Sequence, residues 1–168
     1  MTRRVALLRG INVGGNALVP MLILRAIFVE LGCTDVVTVL NSGNVVFTGD
    51  VTVAALHQRI LEETGVSTRL LIVDGARLVR IVEAMPYGGD ESRLLVTLMG
   101  SLPTSVTRPT ADELAPELLQ VGPDAVYSFM PDGISNSRLR PAFWKQFPPE
   151  ATGRNLRTLR KLVELLRA

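Results

Sequence analysis

The stretch that decides the fold is VVTVLNSGNVVFTG, residues 36–49. Runs rich in β-branched residues lie on both sides of Asn41-Ser42-Gly43-Asn44, and these four residue types favour a tight turn. The stretch therefore predicts two antiparallel strands joined as a hairpin.

The sequence on either side of this hairpin predicts alternating strands and helices. Pro20 suits the first turn of a helix, and Gly32 suits the position just past its end. After the hairpin, Val53, Leu56 and Ile60 recur at helical spacing. The predicted elements outside the hairpin are a strand at 4–9, a helix at 19–32, a helix at 51–65, a strand at 68–75 and a helix at 76–85.

The resulting order, β-α-β-β-α-β, is typical of the ferredoxin-like split βαβ arrangement. The second half of the chain is less regular, and its amphipathic last helix can be capped by Asn155. The elements expected there are strands at 92–100 and 125–131, a helical pattern at 110–120 that Pro116 interrupts, a short helix from Pro141 and a helix at 155–168.

The composition is that of an ordinary globular chain. Of its 168 residues 47% are hydrophobic, and no window approaches the roughly 18 apolar residues of a membrane span. The apolar run near the N-terminus, residues 5–8, is shorter than the about 7–15 residues of a secretory signal. The single cysteine, Cys33, excludes an internal disulfide. We therefore expect a cytoplasmic protein with no membrane partner.

Charge is unevenly distributed along the chain. Residues 1–137 hold 10 basic and 14 acidic side chains, a net of −4, whereas residues 138–168 hold 8 basic and 2 acidic ones, a net of +6. A basic terminal segment can meet nucleic acid or an anionic ligand. It also suits a solvated helix face docked on an acidic part of the chain. We favour the second interpretation and keep nucleic acid as an alternative partner.

The loop GINVGGNA, which begins at Gly10, has the glycines of a phosphate-binding loop without its other residues. Gly10, Gly14 and Gly15 do not have the G-x-G-x-x-G spacing of a dinucleotide site. Gly10 and Gly15 have the separation of a P-loop, but Asn16 and Ala17 stand where that motif needs Lys and Ser or Thr. Both nucleotide-binding motifs are therefore excluded.

Topology predicts a polar cluster around this loop. In a ferredoxin-like sheet the first and third strands are antiparallel neighbours, so the hairpin turn lies at the end where the first strand exits. The first helix also starts there, and its N-terminus favours anions. The cluster is either an anion or polar-ligand site or a structural network in which asparagines bond loop backbone. Its predicted members are Arg9, Asn12, Gly14, Gly15, Asn41, Ser42 and Asn44.

Residues for covalent chemistry are scarce. His57 is the only histidine and lies one position off a helical stripe, which favours a partly buried structural role. Cys33 follows Gly32 at a helix end, with no histidine near it in sequence to activate it. No histidine pair exists for a zinc site, so we predict no metal and no cofactor. Whether the chain is an enzyme is left open.

Several segments together resemble a bacterial family known as domain of unknown function 1697. They are LLRGINVGG (7–15), SGNVVF (42–47), PDGI (131–134) and ATGRN (151–155). The family architecture is two α-β plaits packed together. The resemblance therefore implies an α+β fold with two ferredoxin-like subdomains, residues 1–86 and 87–168, of which the second is degenerate. No activity, substrate or cofactor comes with the resemblance.

The chain departs from the family pattern at several positions. Leu156 and Arg157 stand where members usually carry Trp and Asn, Arg138 replaces a Lys, and Arg140 replaces a capping Thr. An arginine side chain cannot accept the orphan N–H bonds of a helix N-terminus. The segment at 119–127 is also shorter than usual, so we expect a hairpin strand there to be reduced or lost. Any family function that uses the tryptophan is in question for this chain.

The function that the sequence favours is binding of an anionic or phosphorylated small ligand. The polar cluster would form the site, and the segments SRL and TGRN would join it through Ser137, Arg138, Arg154 and Asn155.

Three alternatives stay open. They are an enzyme acting on a phosphorylated metabolite or nucleotide, a nucleic-acid-associated protein and a protein-interaction module. The last would use the nearly all-apolar first helix and leave Ile23 or Phe28 for a partner, so a homodimer is among the alternatives.

Overall fold

The chain forms two compact units, each built on one four-stranded antiparallel sheet. The computed structural model describes residues 2–168. The first unit comprises the chain up to Val79 together with Leu162–Ala168, and the second comprises Arg80–Lys161. Within residues 2–168 six α-helices accompany eight strands, so the predicted α+β class is confirmed. The predicted division into two subdomains, residues 1–86 and 87–168, stays a prediction.

The first unit contains the hairpin and the elements predicted around it. They are β1 (Arg3–Arg9), α1 (Met21–Glu30), β2 (Thr34–Val39), β3 (Asn44–Thr48), α2 (Val53–Thr64), β4 (Arg69–Asp74) and the start of α3 (Gly75–Glu83), which belongs to the second unit from Arg80 onward. The strand order is β2-β3-β1-β4, so β1 lies between β3 and β4 and is antiparallel to both. The predicted hairpin is confirmed as the β2–β3 pair.

Helices α1 and α2 begin and end where the local sequence predicts. Pro20 precedes α1, and Gly32 follows it with a φ of 86°. The Thr52 hydroxyl accepts a 3.1 Å hydrogen bond from Ala55 N at the start of α2, and Gly65 ends this helix with a φ of 73°. Because glycine adopts positive φ without a steric penalty, both helices stop at these residues.

The core of the first unit lies between the two helices and one face of the sheet. Ala6, Leu8 and Phe47 belong to this core, and the Phe28 and Phe47 ring centroids are 4.9 Å apart. On the opposite face of the same strands Leu7 and Val46 are also fully buried. The central strands are therefore apolar on both faces, which explains their nearly continuous hydrophobic runs.

The second unit repeats the strand pattern of the first. Its elements are β5 (Leu94–Leu98), α4 (Ala111–Leu114), β6 (Leu118–Val121), β7 (Val126–Phe129), a 3-10 turn (Ile134–Asn136), α5 (Pro141–Trp144), β8 (Thr152–Asn155) and the start of α6 (Leu156–Arg167), which belongs to the first unit from Leu162 onward. The strand order is β6-β7-β5-β8, which is the order of the first sheet with the strands renumbered.

The second unit differs from the sequence prediction at two strands. Residues 118–121 form β6 instead of continuing a helix, because Pro116 ends the helical segment and the following residues alternate between exposed and half-buried positions. The hairpin strand that was expected to be reduced or lost is present as the four-residue β6. The TGRN segment forms the edge strand β8 beside β5, which the sequence does not predict.

The predicted helix starts in this unit are confirmed. Pro141 occupies the first turn of α5, and Arg140 before it makes no side-chain capping bond. Asn155 caps α6 by accepting a 2.9 Å hydrogen bond from Thr158 N.

No helix within residues 2–168 combines the length and the apolar character needed to cross a membrane.

Candidate functional site

The glycine loop after β1 and the β2–β3 turn meet at one end of the first sheet. Asn12 Nδ2 donates a 2.7 Å hydrogen bond to Asn41 O, and Leu8 N donates a 2.8 Å bond to Gly43 O. The convergence predicted from the sheet topology is confirmed.

Gly43 makes the close contact between turn and loop sterically feasible. A β-carbon at this position would lie 2.8 Å from both Ile11 Cδ1 and Leu8 Cβ, and the φ of Gly43 is 86°. Both the space and the backbone conformation exclude an ordinary side chain.

Asn12 and Asn44 hold the backbone of this region in place. Asn12 Nδ2 also donates to Val19 O at 2.9 Å, and its Oδ1 accepts from Val19 N at 2.8 Å. Asn44 is fully buried, and its Nδ2 donates to Val39 O at 2.8 Å and to Ser42 Oγ at 3.1 Å. These bonds are those of the structural network that the sequence offered as one of two interpretations.

Gly14 and Gly15 form the two-residue turn of a small hairpin. Asn16 N donates a 3.0 Å bond to Val13 O, and the two glycines have φ of 58° and 79°. Positive φ at both central residues is the type I′ geometry that selects glycine. A β-carbon on either glycine would meet open space, so the turn exposes its backbone.

Arg9 and Arg69 lie directly opposite each other at the end of β1 and β4. Directly paired residues of antiparallel strands point to the same face, and here both residues are exposed. By strand alternation this is the face of Leu7 and Asn44, opposite the helices. Arg69 was missed in the sequence analysis, although its position at the start of a predicted strand next to β1 could have identified it.

Ser137 and Arg138 lie in the second unit around a buried carboxylate. The Glu117 side chain is 6% exposed and accepts hydrogen bonds from Ser137 Oγ, at 2.7 Å, and from Arg138 N. The Arg138 guanidinium donates to Ala115 O. Ser137, Arg138 and Arg140 also line a cavity of about 630 Å³. Sequence reasoning missed Glu117, because nothing local marks it as buried.

Arg154 and Asn155 lie on β8. Burial lowers the pKa of Arg154 to about 10. Its Nη1 donates to Thr152 Oγ1 at 2.6 Å and to Gly153 O at 2.9 Å. Asn155 uses its side-chain oxygen to cap α6. Hydrogen bonds thus link Asn12 with Asn41, and Asn44 with Ser42, at one end of the first sheet. The predicted site residues of the second unit have backbone and side-chain partners of their own.

The match to a protein family covers most of the chain. Residues 1–127 match the family described as "Protein of unknown function (DUF1697)". The chain belongs to this family. The resemblance noted in the sequence is thereby confirmed.

A solved structure similar to this DUF1697 chain is that of a conserved bacterial protein, SP0830, from Streptococcus pneumoniae. The TM-score is 0.69 over 98% of each chain, at 24% sequence identity. A likeness at this identity shows a shared fold and says nothing about activity. No curated protein matches the chain.

The basic helix of this DUF1697 chain is partly neutralised by acidic residues nearby. Arg160 Nε lies 2.7 Å from Glu91 Oε1, and Arg157 Nη2 lies 3.8 Å from Asp90 Oδ1. The Ser92 hydrogen bonds, with Arg157 and Arg93 contributing, lower the pKa of Asp90. These contacts are those expected of a solvated helix face docked on an acidic segment.

The apolar first helix leaves part of its surface uncovered. Leu22 is 84% exposed and Ile23 is 37% exposed. Phe28 is fully buried, so the expectation that it would be left for a partner is wrong. The reason is its contact with Phe47 in the core between helix and sheet.

Groups for nucleophilic or metal chemistry are few in this DUF1697 chain. His57 Nε2 lies 3.1 Å from Ser67 Oγ, but across residues 2–168 no carboxylate bonds the histidine to complete a catalytic triad. Cys33 is buried, and desolvation raises the pKa of its thiol. In the described part of the chain, no group of His, Cys, Asp or Glu could hold a metal ion.

Proposed function

We propose that this chain binds an anionic or phosphorylated small ligand at the Arg9 end of the first sheet. The observation that carries the proposal is the direct pairing of Arg9 with Arg69, which are both exposed at the end of a sheet face that is buried further along, at Leu7 and Leu71. Like charges directly opposite each other destabilise a sheet by up to about 1 kcal/mol. An anion accepting from both guanidinium groups would remove that repulsion and gain charge-assisted hydrogen bonds.

The glycine loop and the hairpin turn would form the rim of this site. The three hydrogen bonds of Asn12 hold the loop in one conformation before any ligand arrives. A preorganised rim lowers the entropy cost of binding. Gly14, Gly15, Asn41 and Ser42 are exposed and would supply backbone and side-chain polar groups to this rim.

Ser137, Arg138, Arg154 and Asn155 stay predicted members of the binding site. Their observed bonds to Glu117, Ala115, Thr152 and Thr158 support a structural role beside the proposed one. Arg138 also lines a cavity, which supports a second anion contact in that unit.

We also propose that both units are ferredoxin-like plaits. The element order β-α-β-β-α-β and the equivalent strand orders of the two sheets support two ferredoxin-like plaits. We also propose a cytoplasmic location, which the single buried thiol supports.

The test is a binding measurement with inorganic phosphate, pyrophosphate and adenosine monophosphate. We expect at least one of them to raise the melting temperature of the wild type. Arg9→Gln and Arg69→Gln should each weaken binding about tenfold through loss of a charge-assisted hydrogen bond.

Arg80→Gln is the matched control, because it removes one exposed arginine of the second unit that no proposed contact uses. A response to none of the three probes, or equal affinity in Arg9→Gln and wild type, would overturn the proposal.

A further inference from the structure

A cavity of about 650 Å³ lies in the second unit, between the start of β5 and the turn that follows β7. It contains none of the residues assigned to the anion site. The lining residues that matter here are Arg93, Leu95, Met130, Asp132, Ile134 and Asn136.

Arg93 presents a guanidinium to this cavity. Its backbone is held on both sides, because Arg93 N donates to Asp90 O at 2.9 Å and Met130 N donates to Arg93 O at 2.9 Å. Within residues 2–168 the guanidinium itself forms neither a hydrogen bond nor an ion pair. A charged fork with five donors is therefore available to a ligand.

Gly133 allows the guanidinium to lie against the turn. A β-carbon on Gly133 would be 2.5 Å from Arg93 Nη1, and the φ of this glycine is 88°. The turn is fastened by a 3.0 Å bond from Asn136 Nδ2 to Asp132 O. The side chain of Arg93 thus rests on a backbone surface with a defined shape.

Two carboxylates lie near Arg93, and neither neutralises it by contact. Asp90 Oδ1 accepts from Ser92 N at 2.9 Å and from Ser92 Oγ at 2.7 Å. Asp132 lines the same cavity as Arg93 without forming an ion pair to it among the described residues. The cavity therefore carries one positive and one negative charge that are separated from each other.

Part of the remaining wall of the cavity is apolar, beside the polar residues Ser92, Ser135 and Asn136. Leu95 and Met130 are buried, at 7% and 2% exposure, and form part of the second unit's core. Ile134 stands at the rim and is 60% exposed. Covering these atoms with an apolar group removes them from water, which favours binding.

We propose that this cavity binds a small zwitterion with an apolar side chain, an α-amino acid or a short peptide. Its carboxylate lies on Arg93, its ammonium group faces Asp132, and its side chain contacts Met130 and Ile134. Arginine recognises a carboxylate through two parallel hydrogen bonds. The balanced charge of the lining disfavours a phosphate dianion, which would face Asp132 unpaired. The proposal does not rest on the anion site, since the two share no residue.

The test uses the full chain and amide chemical-shift titration with L-leucine and with the dipeptide leucyl-leucine. We expect saturable shifts at Gly133 and Ile134. Arg93→Gln should weaken leucine binding about tenfold. Arg93→Lys keeps the positive charge but loses the two parallel hydrogen bonds of a guanidinium, so its affinity for leucine should lie between those of the wild type and Arg93→Gln. Asp132→Asn should lower the affinity for leucine. The affinity for 4-methylpentanoate, which lacks the ammonium group, should stay unchanged. Arg9→Gln is the control and should bind leucine as the wild type does.

Three results would overturn the proposal. One is the absence of saturable shifts at Gly133 and Ile134 with either probe up to about 20 mM. Another is an Arg93→Gln variant that keeps its amide spectrum and binds leucine with wild-type affinity. The third is tighter binding of inorganic phosphate than of leucine at these amides.

Discussion

Asn12 and Asn41, 29 residues apart in sequence, are joined by a 2.7 Å hydrogen bond from the Asn12 side chain to the Asn41 carbonyl. The bond ties the loop after β1 to the turn between β2 and β3. Asn12 also holds Val19 through both its amide nitrogen and its amide oxygen, just before α1. One side chain therefore links three segments that enter or leave secondary structure at the same end of the sheet.

The first prediction concerns this link. Asn12→Ala removes all three bonds and leaves a β-carbon at a φ of 54°. We expect a loss of about 2–4 kcal/mol in the free energy of unfolding. Asn12→Gly tolerates the positive φ and should lose less, so the difference reports the backbone cost. Urea unfolding measures both variants, and wild-type stability in Asn12→Ala would show that the link does not hold the loop.

The second prediction separates two glycines with positive φ. Gly43→Ala places a β-carbon 2.8 Å from Ile11 Cδ1 and Leu8 Cβ, whereas Gly14→Ala meets open space. In both variants an alanine in the left-handed conformation lowers the free energy of unfolding by about 1–2 kcal/mol. In Gly43→Ala the overpacked contact lowers it by about 1–3 kcal/mol more. Thermal unfolding should rank Gly43→Ala well below Gly14→Ala, and equal melting temperatures would contradict the contact.

The third prediction concerns the buried carboxylate of Glu117. Glu117→Gln replaces one acceptor oxygen with a donor, which then faces Ser137 Oγ or Arg138 N. We expect a loss of about 1–3 kcal/mol. The exposed Glu164→Gln is the control and should change stability by less than about 0.5 kcal/mol.

A double-mutant cycle with Ser137→Ala tests whether the effect belongs to this contact. Residues in direct contact couple by about 0.5–3 kcal/mol. If Glu117→Gln and Ser137→Ala change the free energy of unfolding in a strictly additive way, the contact between the two side chains does not explain the loss.

The fourth prediction concerns the thiol of Cys33 and its dependence on pH. Burial raises the pKa of this thiol, so the folded state holds its proton more tightly than the unfolded state does. The resulting stabilisation is complete below the ordinary thiol pKa and is lost as pH rises through the raised value. A thiol reagent at about pH 8 should therefore react with Cys33 only as the chain unfolds in denaturant.

Cys33→Ser has no thiol and is the negative control for that measurement. Reaction of the native wild type as fast as the denatured chain would show that the thiol is accessible.

Much of the first unit could be predicted from sequence because its signals are local. Each signal lies within a few consecutive residues: the β-branched runs around Asn41–Asn44 predict the hairpin, and the glycines at 32 and 65 predict the helix ends. The convergence of loop and turn needed one further rule, the antiparallel pairing of the first and third strands.

The second unit was harder to predict, for a physical reason. Residues 118–121 carry two leucines and a valine that suit a helix or a strand, and the pairing with β7 decides between them. The TGRN segment has poor strand propensity, and β5 supplies the hydrogen bonds that make it β8.

In the candidate site, too, some features follow from the local sequence and others only from tertiary contacts. The sequence alone determined that Arg9, the glycines and the asparagines gather at one sheet end, because strand order follows from hydrophobic pattern and turn chemistry. Tertiary structure decided that Asn12 and Asn44 bond backbone, that Arg69 lies opposite Arg9, and that Arg93 lies on Gly133. Hydrogen-bond partners, strand register and side-chain contacts depend on distances between segments far apart in the chain, and those distances exist only once the chain has folded.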